Sequence, residues 1–349
     1  MTTPIATLRQ LGWNKNKLLR PCDIVLGGIW LGPGSGSHGN GNHPDPWQEN
    51  SNALIRAAVE AGIEDFDTAP WYGAGAAEER MGRAIKALAA DADSKLRIGT
   101  KAGRIFFEPP ISGNNRALVP ALAGFDQPTR PPLSARICRN DYTAQGARRS
   151  LEHSLNRLGL QGVHTLRIHD PNDNSNNNRQ QSTESSFVDE VEQALATPDG
   201  MIAELRAMRD EQGIIRHVGL GMNTNREGHM GAPDQVLRLL HGTPRGTFDS
   251  ALLAGGWNLL CRTGWECLET CHTLGVQVHV AGIFASGYLA DDNKSYAYKE
   301  DTTPASHLVA LKHQWATLAK EYGCSLASVA IGFATLPPAV TKLTRPTWA

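Results

Sequence analysis

Short apolar runs alternate with longer amphipathic stretches along most of this 349-residue chain. The apolar runs have the length of buried strands, whereas the longer stretches repeat apolar residues at the spacing of an amphipathic helix. Strands are predicted at residues 23–27, 63–67, 96–101, 163–169, 215–219, 247–252, 276–281 and 340–343. Helices are predicted at residues 52–61, 78–88, 142–158, 201–212, 233–241, 265–274 and 305–322. This order requires a parallel sheet, and eight units predict an α/β fold of the (β/α)8, or TIM, barrel type.

The whole chain, residues 1–349, is expected to form one domain, because α/β barrels commonly exceed the usual size of a domain. We place the barrel at about residues 22–343 and expect irregular structure at residues 1–20, 102–141 and 172–186. Active sites of such barrels lie on the loops that follow the strands. The loops after the first, third and seventh strands are therefore expected to contact substrate or cofactor. The Asn-rich segment 172–186 is interpreted as a solvated insert.

The composition argues against several classes of partner. Hydrophobic residues make up 40% of the chain and charged residues 20%, and the formal net charge is −1. These values offer no electrostatic field for nucleic acid or for an anionic membrane surface. No apolar run approaches the ~20 residues that span a bilayer. We expect a cytoplasmic protein, although the absence of acidic residues before Asp23 leaves an organelle-targeting segment as the alternative.

The six cysteines are too scattered for a disulfide framework and are predicted to be free thiols. Cys267 and Cys271 lie four residues apart on a predicted helix and could bind a metal, but no second Cys or His pair accompanies them. Their alternative role is the packing of two small side chains. No metal site is predicted.

Four polar side chains, Asp67, Tyr72, Lys101 and His169, lie at or just beyond the ends of predicted strands. A barrel that gathers strand ends at one rim would bring them together. A phenol with a pKa of ~10 becomes an acid or base near neutral pH only when a cation stabilises its phenolate, and Lys101 could supply that cation. Asp67 could hold the ammonium, and His169 could donate a hydrogen bond to a substrate oxygen. The pattern predicts a proton-transfer site.

These residues resemble the catalytic tetrad of the aldo-keto reductases, and the likeness extends along the chain. The strings that carry it are DTAPWYGAG, TKAGR, RRSLEHSLNRLGL, IHDPND, GLGMN, LLAGGWNLL and FASGYLA, which together span roughly residues 24–343. Within that family the chain is most similar to the aldose 1-dehydrogenase branch. The resemblance implies an oxidoreductase that transfers a hydride between NADP or NAD and the anomeric carbon of a small-molecule aldose. Two alternatives stay open: an enzyme for another aldehyde, of the pyridoxal type, and a truncated cofactor-binding barrel without activity.

The resemblance also implies roles for individual residues. Tyr72 would be the acid and base, Lys101 would lower its pKa, Asp67 would support Lys101, and His169 would orient the reacting oxygen. The expected cofactor contacts are Asn223, Ile283, Phe284, Ser286 and Gly287, and the expected substrate contacts are Trp30, Trp71 and Trp257, with core packing as the alternative for Trp257.

The chain departs from the family pattern at several positions. Many members carry a glutamine where this chain has Ala254, and a stacking tyrosine near the position of Ala281 or Gly282. Phe284 is the expected replacement for the lost stacking. The C-terminal end is short, without a recognisable basic loop for the adenosine phosphate. Lys342 and Arg345 are the cations available there, so the choice between NAD and NADP stays open.

Two further departures are charged residues expected inside the barrel. Asp65 and Arg167 lie two positions before Asp67 and His169, so they face inward as those residues do. Side chains of alternate strands share an interior layer in such barrels, and an unpaired buried charge is costly. The sequence therefore predicts an Asp65–Arg167 ion pair beneath the active site.

Overall fold

The computed structural model of the chain describes residues 19–32, 46–88, 95–107, 137–171, 192, 195–225, 233–290, 306–337 and 340–346. The strands in these segments are β1 (Ile24–Gly27), β2 (Asp65–Asp67), β3 (Arg97–Ala102), β4 (Arg104–Phe107), β5 (Ile137–Asn140), β6 (Val163–His169), β7 (Ile215–Asn223), β8 (Ser250–Ala254), β9 (Gln277–Ala281) and β10 (Val340–Pro346). Eight of them are parallel and close into a barrel in the order β1-β10-β9-β8-β7-β6-β3-β2. The other two, β4 and β5, form an antiparallel hairpin.

Helices surround the barrel and connect its strands. They are α1 (Pro46–Glu60), α2 (Ala76–Lys86), α3 (Ala144–Leu158), α4 (Met201–Asp210), α5 (Pro233–Gly242), α6 (Trp265–Leu274), α7 (Ser306–Glu321) and α8 (Leu326–Ala334), with short 3-10 helices at Pro21–Asp23 and Gly28–Leu31. The fold is therefore the predicted (β/α)8 barrel. Across the described segments, no helix is both long and apolar enough to cross a membrane.

All eight predicted strands are confirmed, although the fifth continues from residue 219 to Asn223. Two elements were not predicted, namely α8 and the β4–β5 hairpin. Helix α8 has the sequence LASVAIGFA, which is apolar on every side and so lacks an amphipathic period. The irregular structure expected at 102–141 is wrong for the hairpin, and residues 108–136, 1–18 and 172–191 lie outside the described residues.

Helices α2 and α3 pack tightly against each other and against β3. A Cβ atom on Gly82 would overlap the carbonyl oxygen of Leu158, so the helices approach at a position where only glycine fits. Beside this contact the buried Glu78 carboxylate accepts hydrogen bonds from Thr100 Oγ1 and Arg157 Nε, both at 2.6 Å. These contacts fix β3, which carries Lys101, against the helical layer.

The predicted ion pair between Asp65 and Arg167 is wrong. Asp65 instead pairs with Arg97 on β3, at 2.6 Å, and with Lys342 on β10. Arg167 donates to Asp67, two residues further along β2, with Nη1 2.9 Å from Oδ1. The stagger between strands explains the difference: Asp65 lies opposite Arg97, whereas Arg167 lies opposite a residue nearer the C-terminal end of β3.

Candidate active site

The C-terminal ends of the barrel strands bring the four predicted tetrad residues together. Asp67 is the last residue of β2, His169 is the last residue of β6, and Lys101 is the last but one of β3. Tyr72 lies in the turn between β2 and α2, where Gly73, Ala74 and Gly75 all have positive φ angles, of 62°, 52° and 95°. This left-handed turn reverses the chain within a few residues, so that the tyrosine stays above the strand ends.

Asp67 and Lys101 form a buried ion pair. The ammonium Nζ lies 2.5 Å from Asp67 Oδ2 and also donates to the carbonyl oxygen of Thr68, at 2.8 Å. The side chains of the two charged residues are 3% and 1% exposed. Burial alone would lower the pKa of Lys101, but the Asp67 carboxylate outweighs it, and the net shift of that pKa is upward. Lys101 is therefore a fixed cation at neutral pH.

The phenol of Tyr72 lies beside this cation and beside His169. The Lys101 ammonium is 4.7 Å from the centroid of the tyrosine ring, and the imidazole of His169 meets the ring edge to face at a centroid distance of 6.0 Å. Burial raises the pKa of Tyr72 above its ordinary value, while the charge of Lys101 acts in the opposite direction. The phenol is thus held as a proton donor whose ionisation depends on the neighbouring cation.

His169 is held neutral. Burial lowers its pKa well below the ordinary value, and the positive charges of Arg104 and Lys101 lower it further. Its backbone carbonyl accepts a hydrogen bond from Tyr142 Oη at 2.8 Å, which anchors the end of β6. The buried ring nitrogen Nδ1 has no hydrogen-bond partner among the described residues. A neutral imidazole in this position can bind an oxygen without adding a charge.

A second polar cluster adjoins the tetrad and was not predicted. Asp170 has a positive φ angle of 37°, and its carboxylate accepts hydrogen bonds from the backbone and side-chain nitrogens of Asn223, at 2.9 and 3.1 Å. It also pairs with Arg104 at 3.4 Å. The Arg104 guanidinium lies 4.7 Å from the centroid of the Trp71 ring. The available signals were positional, since Asp170 directly follows His169 and Arg104 ends the string TKAGR.

The sequence pattern of the aldo/keto reductase family matches residues 30–343. The chain belongs to this family. The barrel and the strand-end positions of Asp67, Lys101 and His169 agree with that membership, as does the neighbouring tyrosine. Enzymes of this family use NAD(P)H as cofactor.

Two curated relatives are similar to the chain at low sequence identity. A D-threo-aldose 1-dehydrogenase of Pseudomonas sp is 28% identical over 239 residues, which is 68% of this chain and 60% of that protein. A pyridoxal 4-dehydrogenase of Microbacterium luteolum is 26% identical over 304 residues, which is 84% of this chain and 78% of that protein. The chain thus spans less than two thirds of the aldose dehydrogenase and a larger part of the pyridoxal enzyme.

A solved structure of a glycerol dehydrogenase from Gluconobacter oxydans superposes on the chain with a TM-score of 0.59 and 20% identity. The superposition covers 93% of this chain and 82% of the other. At this identity the likeness concerns the fold, and it agrees with the barrel described above.

The loop after β9 contains a tight turn of small residues. Ala285 and Ser286 have positive φ angles of 44° and 56°, and the following Gly287 has one of 94°. The amides of Ala285 and Gly287 donate within the loop, to the carbonyl oxygens of Gly282 and Phe284 at 3.0 and 2.9 Å. What the turn offers an anion is room beside short side chains. Asn258 ties this loop to the one after β8, because its side-chain nitrogen donates to the carbonyl oxygens of Gly255 and Gly282. The turn therefore fits the phosphate part of a nicotinamide dinucleotide.

Other expected ligand contacts differ in their placement. Ile283 and Phe284 are 1% and 2% exposed and belong to the hydrophobic core, so the Phe284 ring is not presented to a ligand in this conformation. Asn223 is half-buried and is held by Asp170. Lys342, one of the two cations considered for the adenosine phosphate, pairs with Asp65 instead. The side chain of Arg345, the other one, lies outside the described residues.

The three tryptophans occupy two different environments. Trp71 is half-buried beside Phe106, with ring centroids 6.0 Å apart, and Trp30 is half-buried in the 3-10 helix after β1. Trp257 is 3% exposed and stacks on Phe333 with centroids 4.9 Å apart. This burial favours the core-packing alternative for Trp257 and leaves Trp30 and Trp71 as the accessible indoles.

The cysteines are free thiols, as predicted. Cys267 and Cys271 are both buried, and burial raises the pKa of Cys271 to about 12. Within the described part of the chain, no group of three or more potential metal-ligating side chains is present. The packing alternative therefore accounts for this pair of cysteines.

Proposed function

We propose that this aldo/keto reductase oxidises the anomeric carbon of a free aldose to a lactone with NAD(P)+ as the cofactor. The contact that carries the proposal is the Asp67–Lys101 ion pair next to the Tyr72 ring. This arrangement lets a phenol gain or lose a proton at a site with limited solvent. Similarity to the D-threo-aldose 1-dehydrogenase supports an aldose as the substrate.

Each tetrad residue has a distinct task in the proposed oxidation. The Tyr72 phenolate takes the proton of the anomeric hydroxyl while the hydrogen on the anomeric carbon leaves with its electron pair, so that a C=O bond forms. Lys101 stabilises the phenolate and Asp67 fixes Lys101. The neutral His169 binds the reacting oxygen. A bound nicotinamide supplies the hydride acceptor, or the donor when the reaction runs backwards.

The proposal also assigns the contacts to cofactor and substrate. Asn223 and the turn at Ser286 and Gly287 would hold the cofactor, and Trp30 and Trp71 would contact the apolar face of the sugar ring. The short side chains at the turn admit a pyrophosphate but do not distinguish NAD from NADP. Fluorescence titration of the purified chain with NADH and with NADPH therefore decides which nucleotide binds more tightly.

The test is aldose-dependent cofactor reduction by the purified chain, measured by absorbance with each nucleotide. Tyr72→Phe should lower kcat by about 10²–10⁴-fold while cofactor binding, measured by fluorescence, is retained. Tyr322→Phe is the matched control, because Tyr322 is 79% exposed just beyond the end of α7 and is not part of the tetrad. Undiminished turnover in Tyr72→Phe would refute the assignment of the acid and base.

A pyridoxal-type aldehyde is the second candidate substrate, because the pyridoxal 4-dehydrogenase aligns over a larger share of both chains. Parallel assays with a panel of aldoses and with pyridoxal separate the two. A chain that binds neither NADH nor NADPH would instead be a barrel without this activity.

A further inference from the structure

Arg167 is a second cation in contact with the catalytic carboxylate. The side chain is 3% exposed inside the barrel. Its Nη1 donates to Asp67 Oδ1 at 2.9 Å, while Lys101 takes the other oxygen, Oδ2. Its Nη2 lies 3.1 Å from Nδ1 of His279 on β9. Asp67 therefore pairs with two buried cations. The contact with Arg167 is not needed to hold Lys101 in place.

Glycines on the neighbouring strands make room for this arrangement. A Cβ atom on Gly99 would lie 2.6 Å from Arg167 Nη1, and one on Gly219 would lie 3.1 Å from Arg167 Cγ. One on Gly221 would lie 3.2 Å from Cε of Lys101. The space around both cations is thus free of side chains at three inward-facing positions. The guanidinium reaches Asp67 through that space.

The charge balance beneath Tyr72 follows from these contacts. Lys101 and Arg167 contribute two positive charges and Asp67 one negative charge, which leaves an excess of one positive charge in a buried region. Positive charge next to a phenol favours its phenolate. The Arg167 charge also lowers the pKa of Lys101, which opposes the effect of Asp67 on that ammonium.

We propose that Arg167 is a positioning residue. By pairing with Asp67 it offsets part of the negative charge near Tyr72, so the phenol ionises more readily than it would with Asp67 and Lys101 alone. Asp170 also raises the pKa of Tyr72, and the neutral His169 meets the tyrosine ring. Arg104 pairs with Asp170 and so offsets that carboxylate. Removing Arg167 leaves the full Asp67 charge near the phenol, and this charge disfavours the phenolate. The inference rests on the proposed function, in which Tyr72 is the acid and base.

Arg167→Gln tests the proposal, because glutamine keeps a polar side chain but carries no charge. In the oxidation the phenolate is the active form, so kcat/KM rises with pH as Tyr72 ionises. This ascending limb should move upward by about one pH unit, since removal of a nearby charge changes a pKa by about that much. Arg167→Lys keeps the charge, so its pH profile should lie at least halfway back from that of Arg167→Gln towards the wild-type profile. A purely structural role predicts lower activity in Arg167→Gln with an unshifted pH profile, and that result would overturn the proposal.

A second readout does not depend on turnover. The chain has six tyrosines, so the absorbance titration of Tyr72→Phe subtracted from that of its parent isolates the Tyr72 phenol. The isolated titration should move upward when Arg167→Gln is introduced into both members of the pair. If no substrate is turned over, the proposed function fails while this titration still decides the role of Arg167.

Gly99→Ala provides an independent variant if Arg167→Gln does not fold. Its methyl group would crowd Arg167 Nη1 and move the guanidinium away from Asp67 without removing any charged residue. The Tyr72 titration should then shift in the same direction, by a smaller amount. An unshifted titration in a folded Gly99→Ala chain would overturn the proposal.

Discussion

Asp67→Asn should be strongly destabilising, because it leaves two buried cations without their counter-charge. The Asp67 oxygens lie 2.5 Å from Lys101 Nζ and 2.9 Å from Arg167 Nη1. At an effective dielectric constant of about 20, each unit charge ~3 Å away contributes roughly 5 kcal/mol of attraction. Structural relaxation recovers part of this loss. Removal of one partner from a buried pair costs about 3–5 kcal/mol, and we expect a loss of at least that size.

The loss should also depend on pH in a direction set by Lys101. In the wild-type chain the folded-state pKa of Lys101 is raised, so its contribution to stability is constant below the unfolded pKa of ~10.4 and is lost above it. In Asp67→Asn, burial and Arg167 remain and both lower that pKa. The unfolded chain then binds more protons than the folded chain at alkaline pH. The stability deficit should therefore shrink between about pH 8 and pH 10.

Denaturant unfolding of the wild-type and variant chains at several pH values measures both effects. Asp65→Asn is the matched control, since Asp65 lies two residues earlier on the same strand and also contacts two cations. Asp65 is buried, but its partners Arg97 and Lys342 have 32% and 18% exposed side chains. Water can solvate the cations left behind, so the loss should be clearly smaller than in Asp67→Asn. Equal losses in the two variants would refute this argument.

Two further predictions concern packing and acid sensitivity. Gly82→Ala should lower the free energy of unfolding by roughly 1–3 kcal/mol, because the added methyl group meets the Leu158 carbonyl. Gly332→Ala on α8 is the control: its methyl group meets nothing within 4 Å, so it should be neutral or stabilising by up to ~1 kcal/mol. Equal unfolding midpoints for the two variants would contradict this. Burial lowers the pKa values of His169 and His279 well below the ordinary value, so the unfolded state binds more protons and stability should fall below pH ~6.5, by up to ~1.4 kcal/mol per pH unit for each histidine. His279→Asn should reduce that slope, and an unchanged slope would show that His279 does not contribute.

The sequence predicts the barrel and the convergence of the tetrad for the same reason. Apolar runs of strand length mark where each strand ends, and a parallel barrel places those ends on one rim. Asp67, Lys101 and His169 could therefore be brought together without knowledge of the strand register. Tyr72 is not on a strand, but it lies at the same rim because the turn that follows it reverses the chain there.

Pairings inside the barrel could not be predicted in this way. Which inward-facing side chains meet depends on the stagger between neighbouring strands and on which positions lack a side chain. The stagger placed Arg97 opposite Asp65, and Gly99 left the path from Arg167 to Asp67 open. The hairpin at Arg104–Phe107 and Ile137–Asn140 was missed because a long intervening segment separates two very short strands.

The two carboxylates of β2 show how one motif serves two purposes at different heights in the barrel. Asp65 and Asp67 each bridge two cations. The lower pair of cations, Arg97 and Lys342, remains partly exposed. Burial lowers the pKa of the neighbouring His164 to about 4, so its imidazole is neutral at pH 7. The upper pair is buried and adjoins the Tyr72 ring. Residues near the C-terminal end of barrel strands serve chemistry, whereas those at the other end serve stability. Asp67 and both of its cations are buried beside the phenol, so their charge balance acts on Tyr72. Asp65 is also buried, but its cations Arg97 and Lys342 have 32% and 18% exposed side chains, so solvent screens that cluster.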